Sequence, residues 1–177
     1  MRKTAHGFTL VELLVVIAII AILAAVVVLI INPLELTRRG RDSARLTDLA
    51  NLQQAINVAV QEATDSGGEI LCNGAAYPCA GLSTTGGNAA RAANGTGWVK
   101  VNLGSQGSVS VPTLPVDPTN SATYHYLYCA DNDAWEINAV LESAQQSGRM
   151  GTDGGEDDTK YEVGSNLGLV GTGPCTY

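Results

Sequence analysis

From Leu13 to Ile31 every residue is apolar, LLVVIAIIAILAAVVVLII. As a helix rising about 1.5 Å per residue, this run spans about 28 Å, close to the roughly 30 Å hydrocarbon core of a bilayer. It is apolar on all sides, and the rest of a 177-residue chain is too small to wrap it as a buried core helix. From Leu34 to about Asp65 the pattern changes. Leu49, Leu52, Ile56, Ala59 and Ala63 step by three or four residues, the spacing of one helix face, and Gly67-Gly68 predicts where that helix stops. Pro33 predicts a kink or melted turn at Asn32-Pro33, because its ring clashes with the preceding turn and removes a donor. Charges occupy the other face of the second helix: Glu35 with Arg39 and Arg38 with Asp42 at i,i+4, and Arg45 with Asp48 at i,i+3. Such pairs are worth only about 0.2–0.5 kcal/mol each when exposed. The basic cluster Arg38, Arg39, Arg41 and Arg45 therefore reads as a solvated, self-paired face with some bridging between copies.

Beyond residue 66 the period shortens to two. Short β-type runs are expected at Trp98–Leu103, Ser108–Val111, Thr123–Ala130 and Ala134–Leu141. The last two predict a hairpin. Tyr124, Tyr126 and Tyr128 alternate with His125, Leu127 and Cys129, and after the turn residues Asp131-Asn132-Asp133 the residues Trp135, Ile137, Ala139 and Leu141 share a face. A small antiparallel sheet packed on the second helix buries the apolar face of both. The fold class is therefore α+β: a long N-terminal helix, half membrane-spanning and half amphipathic, with a β-rich head.

Composition sharpens this division. Only two of the 20 glycines, Gly7 and Gly40, precede residue 66, whereas all four cysteines and every aromatic except Phe8 follow it. Ten Lys and Arg against 17 Asp and Glu give a net charge of -7, which argues against a phosphate-binding, nucleic-acid function. The tyrosine column accordingly reads as sheet packing, not as a platform for stacking bases.

The residues around the apolar run carry the sharpest chemistry. A cleavable secretory signal has a basic start, a short apolar stretch and a small-residue exit. Here Gly7 precedes the apolar stretch and no such exit follows it, so the anchor is expected to be retained. Glu12 stands alone at the edge of the run, where a carboxylate costs free energy unless it reaches the interface or meets a cation. Snorkelling and pairing with a cation on another chain are both open on these grounds alone.

The string Gly7-Phe8-Thr9-Leu10-Val11-Glu12-Leu13, behind a short basic leader containing Arg2 and Lys3, resembles the prepilin signature of the type IV pilin and pseudopilin superfamily. The resemblance implies cleavage between Gly7 and Phe8 by a membrane aspartyl prepilin peptidase on the cytoplasmic side. The same enzyme then methylates the new Phe8 amine. It also implies that Glu12 neutralises the Phe8 amine of a neighbouring subunit as helices stack into a filament. Four arginines shortly after the anchor, counted naively, would keep the head in the cytoplasm. The peptidase motif and the cysteines outweigh that count, since long domains translocate regardless of charge.

Four cysteines suit an exported domain, and three pairings are possible. Cys72 with Cys79 closes a short loop, and Cys129 with Cys175 pins the tail to the sheet; this is the preferred pair of bridges. Tail pinning also resembles the C-terminal disulfide loop of many type IV pilins. Asp153, Glu156, Asp157 and Asp158 cluster beside glycines and are candidate ligands for a structural calcium ion, although they miss the EF-hand template. Major secretion pseudopilins, by resemblance, carry calcium in the C-terminal loop. Leu114-Pro115-Val116-Asp117-Pro118 also resembles the turn before their final sheet, but Thr119-Asn120 stands where Trp-Gly usually follows. Asn94-Gly95-Thr96 fits a glycosylation sequon and reads more simply as an Asn-Gly turn. No nucleophile elbow, P-loop or metal-ligand pair accompanies His125, so no enzymatic activity and no other cofactor are expected.

The expected division is a leader at 1–7, a transmembrane and filament-core helix at 8–31, an amphipathic helix at 32–65 and an exported head at 66–177. The expected function is a structural subunit of a type IV pilus-like filament. The alternatives are a pseudopilin of a type II secretion system and, in another class, a membrane-anchored exported binding module. Expected partners are copies of itself and related pilins, prepilin peptidase, the membrane-embedded assembly machinery and lipid before assembly. The precursor is expected to cross the membrane once with its leader cytoplasmic, and the assembled filament to be extracellular or periplasmic.

Overall fold

The computed structural model describes residues 7–63, 70–104, 107–108, 110–171 and 173–175. The leader residues Arg2 and Lys3 and the Gly67-Gly68 helix stop lie outside them. The chain forms two compact units, residues 1–37 and 38–177.

The first unit contains helix α1, Leu10–Ile31. Thr9 caps its start with its side chain, and Asn32 ends it in the left-handed region at φ 40°, a conformation that asparagine tolerates better than most residues. Helix α2, Pro33–Glu62, begins immediately. Proline suits a first helical position, where its missing N–H would have had no partner. The Asn32 carbonyl accepts the amides of Glu35 and Leu36 at 3.1 and 3.3 Å. The anticipated break at Asn32-Pro33 is thus a change of helix with its backbone groups largely recapped.

The second unit is built on the rest of α2 and one antiparallel sheet. Its strands are β1 (Cys79–Leu82), β2 (Leu127–Asp131), β3 (Ala134–Ala139) and β4 (Tyr161–Gly164), ordered β1-β2-β3-β4. The β2–β3 hairpin closes over Asn132-Asp133, with Asn132 at φ 53° and Asp131 opposite Ala134. Leu49, Leu52, Ala55, Ile56 and Ala59 of α2 pack with Trp98, Tyr126, Tyr128, Trp135 and Ile137 in one core. Two of the polar tips within that core have partners, whereas the Tyr77 hydroxyl packed against it has none among the described residues. Trp98 Nε1 donates to the Pro115 carbonyl at 2.8 Å, and Tyr128 Oη donates to the Leu71 carbonyl at 2.7 Å.

Two expected strands are not strands. Trp98–Leu103 buries Trp98, Val99, Val101 and Leu103, but its amides at Trp98 and Leu103 bond to Ala90 and Ala93, leaving one isolated bridge, Asn94 to Asn102. Ser108, Ser110 and Val111 also lie outside any strand, and Val109 is outside the described residues. The sheet instead recruits β1 and β4. Gly81 in β1 passes so close to the Trp98 backbone that any Cβ would collide with it, so this edge requires glycine.

Candidate functional site

Among the described residues nothing lies near enough to Gly7 to obstruct an added Cβ, and Phe8 follows, 85% exposed. Extended backbone at Thr9 then turns into α1. A capping box makes that turn: the Thr9 amide and hydroxyl both donate to Glu12 Oε2, at 2.9 and 2.7 Å, and the Glu12 amide donates to Thr9 Oγ1 at 3.3 Å. The cap uses Oε2 alone. Glu12 is therefore held at the first turn, one helical turn from the Gly7-Phe8 bond, with its second oxygen outside the cap.

Behind Glu12 the helix offers nothing but hydrocarbon. Leu10–Val28 is long and apolar enough to cross a membrane, with a mean hydropathy of 3.2 and none of it buried. The core helix of a water-soluble domain would be mostly covered. Every large exposed apolar side chain among the described residues lies between Phe8 and Leu36, and the second unit contributes none. Such a surface has to be covered by lipid or by other chains.

Two of the four arginines of α2, Arg41 and Arg45, do not form the solvated face expected of them, whereas Arg39 is exposed. Arg45 is fully buried. Its Nε and Nη2 grip Asp117 in a fork at 2.6 and 2.9 Å, its Nη1 reaches Asp42 Oδ1 at 2.8 Å, and its Nη2 reaches Glu142 at 2.6 Å. The ring of Tyr124 lies 5.1 Å beneath its guanidinium. Arg41 adds a second fork on Glu142, at 2.8 and 2.5 Å. Two of the three acids are themselves tied to backbone. Asp42 accepts the amides of Glu142 and Ser143, and Asp117 those of Thr119 and Asn120. This clamp fastens α2 to two segments of the head, residues 117–124 and 142–143. The expected Arg45–Asp48 pair gives way because Asp48 instead accepts the Tyr126 hydroxyl at 2.9 Å. The Arg41 hydrogen bond, together with Arg45, holds the Glu142 carboxyl down at about 2. Burial pushes Asp117 upward, but bonds from Arg45, Thr119 and Asn120 outweigh it and leave it below the usual carboxylate range.

The four cysteines form two disulfides, Cys72–Cys79 and Cys129–Cys175. The second ties the C-terminal segment across the outer face of the sheet, where Leu169, Val170 and Cys175 pack on Leu127 and Cys129. In the acidic loop, Asp153 accepts the amides of Gly155 and Glu162, and Asp157 accepts the amide and hydroxyl of Thr159. Glu156 also has an interaction partner, and Asp158 lies beside Gly151. Among the described residues no group of three or more His, Cys, Asp or Glu is placed to hold a metal ion.

The Arg45 clamp and a buried Glu136–Glu162 pair on the outer sheet face were not anticipated. The i,i+3 spacing of Asp42 and Arg45 was the one local signal for the clamp. For the pair it was Glu136 set between Trp135 and Ile137 in an otherwise apolar strand.

Residues 2–28 match a family model, the prokaryotic N-terminal methylation motif, which is the prepilin signature of type IV pilins and pseudopilins. The match ends within α1. No curated protein and no solved structure matches the chain.

Proposed function

We propose that this chain is a structural subunit of a type IV pilus-like filament. One observation carries the reading: the methylation motif leads directly into a helix whose apolar surface is wholly uncovered and whose only charge is Glu12. In this reading prepilin peptidase removes residues 1–7 and methylates Phe8. Lipid covers α1 first, and neighbouring α1 helices replace the lipid as the filament grows. Cleavage creates a cation, the Phe8 amine, close to where Glu12 is held. In a low-dielectric bundle an unpaired carboxylate is strongly disfavoured, so pairing Glu12 with a neighbour's Phe8 sets the register between copies. The clamp and disulfides keep the acidic head folded outside the membrane.

A second reading, a type II secretion pseudopilin, is favoured by Leu114-Pro115-Val116-Asp117-Pro118, whose Asp117 is a buried member of the clamp. Both share the N-terminal chemistry. Deletion separates them: loss of surface filaments supports the pilus, and loss of protein secretion with no loss of filaments supports the pseudopilus.

Mass spectrometry of protein sheared from intact cells tests the common mechanism. The expected species begins at methylated Phe8, and Gly7→Ala abolishes both that species and assembly. Glu12→Ala is expected to leave cleavage largely intact and to impair incorporation. Native protein recovered with Met1 in place, or filaments of wild-type abundance from Glu12→Ala, would overturn it. A tethered binding module, by contrast, needs no leader removal and remains monomeric after Gly7→Ala.

A further inference from the structure

One amide beside the clamp rests on sulfur, not on oxygen. Beyond the end of β3 at Ala139, three successive amides turn toward side chains. Glu142 and Ser143 donate to Asp42, at 3.0 and 2.7 Å, whereas the buried Leu141 donates to the sulfur of Met150 at 3.4 Å. Residues 143–150 curl back to bring that sulfur into place. The Ser143 carbonyl accepts the amides of Gln146 and Ser147 at 3.1 and 2.9 Å, the Gln146 carbonyl that of Arg149 at 2.9 Å, and the Ser147 carbonyl that of Met150 at 3.2 Å. Met150 itself is half-buried. A thioether is a weak acceptor, but a buried amide without any acceptor is worse off. The residue after Leu141 is Glu142, whose carboxylate both Arg41 and Arg45 hold.

Sulfur of this kind is also the softest target for an oxidant in the described head. All four cysteines are closed in disulfides, and Trp98 and Trp135 are each only 2% exposed. Met1 falls within residues 1–7, so a chain that begins at Phe8 carries Met150 as its one methionine. We propose that Met150 is a modification site for oxidants of the peroxide class, that it gives a single sulfoxide epimer, and that the sulfoxide releases Leu141 and loosens the clamp at Glu142.

In the step, a sulfur lone pair attacks one peroxide oxygen. The S–O bond forms and the O–O bond breaks; sulfur gives up two electrons, and the second oxygen leaves as water with both peroxide protons. The Leu141 amide occupies one of the two lone pairs, so the other reacts and the new oxygen lies on the side away from Leu141. That fixes the chirality at sulfur. The S=O dipole then turns its positive end on the N–H, and Leu141 loses its acceptor.

Hydrogen peroxide added to the full chain in detergent micelles tests the proposal. Digestion and mass mapping report Met1 and Met150 separately, so the outcome does not depend on leader removal. One added oxygen is expected on Met150 before any on either tryptophan. The product should be reduced by one of the two stereospecific methionine sulfoxide reductases and left untouched by the other. The same chain oxidised in urea, where no amide shields the sulfur, should give both epimers. Hydrogen exchange at Leu141 should quicken by about tenfold or more on oxidation, with smaller changes at Glu142 and Ser143. Met150→Leu keeps similar bulk without the acceptor, so it should exchange fast at Leu141 before peroxide and change no further after it. Four results would each overturn the proposal: both epimers in equal amounts from the folded chain, tryptophans oxidised ahead of Met150, Leu141 exchange indifferent to oxidation, or a peroxide response at Leu141 that survives Met150→Leu.

Discussion

Arg45→Met isolates the clamp. The substitution keeps a long side chain in contact with Tyr124 but removes a guanidinium that bonds Asp117 twice, Asp42 once and Glu142 once. Asp42 and Asp117 stay buried, each keeping its backbone N–H donors, and Glu142 keeps Arg41. Breaking a buried pair from one side costs about 3–5 kcal/mol, because the acid left behind is uncompensated. The surviving donors place the expected loss near the lower figure, about 3 kcal/mol. In a unit of this size each kcal/mol lowers the midpoint by about 2–4 °C, so thermal unfolding of the head, followed by tryptophan fluorescence in detergent, should shift down by roughly 6–12 °C. Arg45→Lys retains the charge without the fork and should fall between the two. Arg45→Met paired with Asp117→Leu should recover part of the loss, since apolar replacement of both partners removes the orphaned acid. An Arg45→Met protein within about 1 kcal/mol of the wild type would refute the claim that this ion pair holds α2 to the head.

Two further outcomes follow from the same geometry. Glu142 is held at about 2 in the folded chain against an ordinary 4.5, so its contribution is complete above pH 4.5 and disappears as pH falls toward about 2. That limb amounts to roughly 2–3 kcal/mol, and denaturant titrations across it should show the slope shrinking in Glu142→Gln. Gly40 lies inside α2 with nothing within 4 Å of an added Cβ, so Gly40→Ala should stabilise the monomer in detergent by about 1 kcal/mol; no change in the unfolding midpoint would contradict that reading.

The N-terminal half of the fold was legible in the sequence because its signals are local. An unbroken apolar run admits one solution; the capping box was not foreseen, although Thr9 and Glu12 stand at the three-residue spacing it requires. The β2–β3 hairpin was legible for the same reason, from alternation on either side of a turn. Strands β1 and β4 were not. Each has four residues and one contains the pair Glu162 and Gly164, so pairing with a neighbour, not propensity, makes them strands. Trp98–Leu103 fails in the opposite sense: its residues suit a strand, but Ala90 and Ala93 supply the partners that a neighbouring strand would have offered. The clamp was out of reach because Asp117 lies 72 residues from Arg45 and Glu142 lies 101 from Arg41. Charge spacing along a helix shows which residues can pair locally and says nothing about a stronger acid arriving from elsewhere.

The confinement of large exposed apolar side chains to the stretch from Phe8 to Leu36 has a practical corollary. Severing the peptide between Thr37 and Arg38, at the border of the two compact units, should yield one fragment that dissolves only with detergent and another that dissolves in plain buffer. The two behaviours thereby reside in separate stretches of the chain, and the surface of the second unit can be rewritten residue by residue while the apolar helix is left as it was.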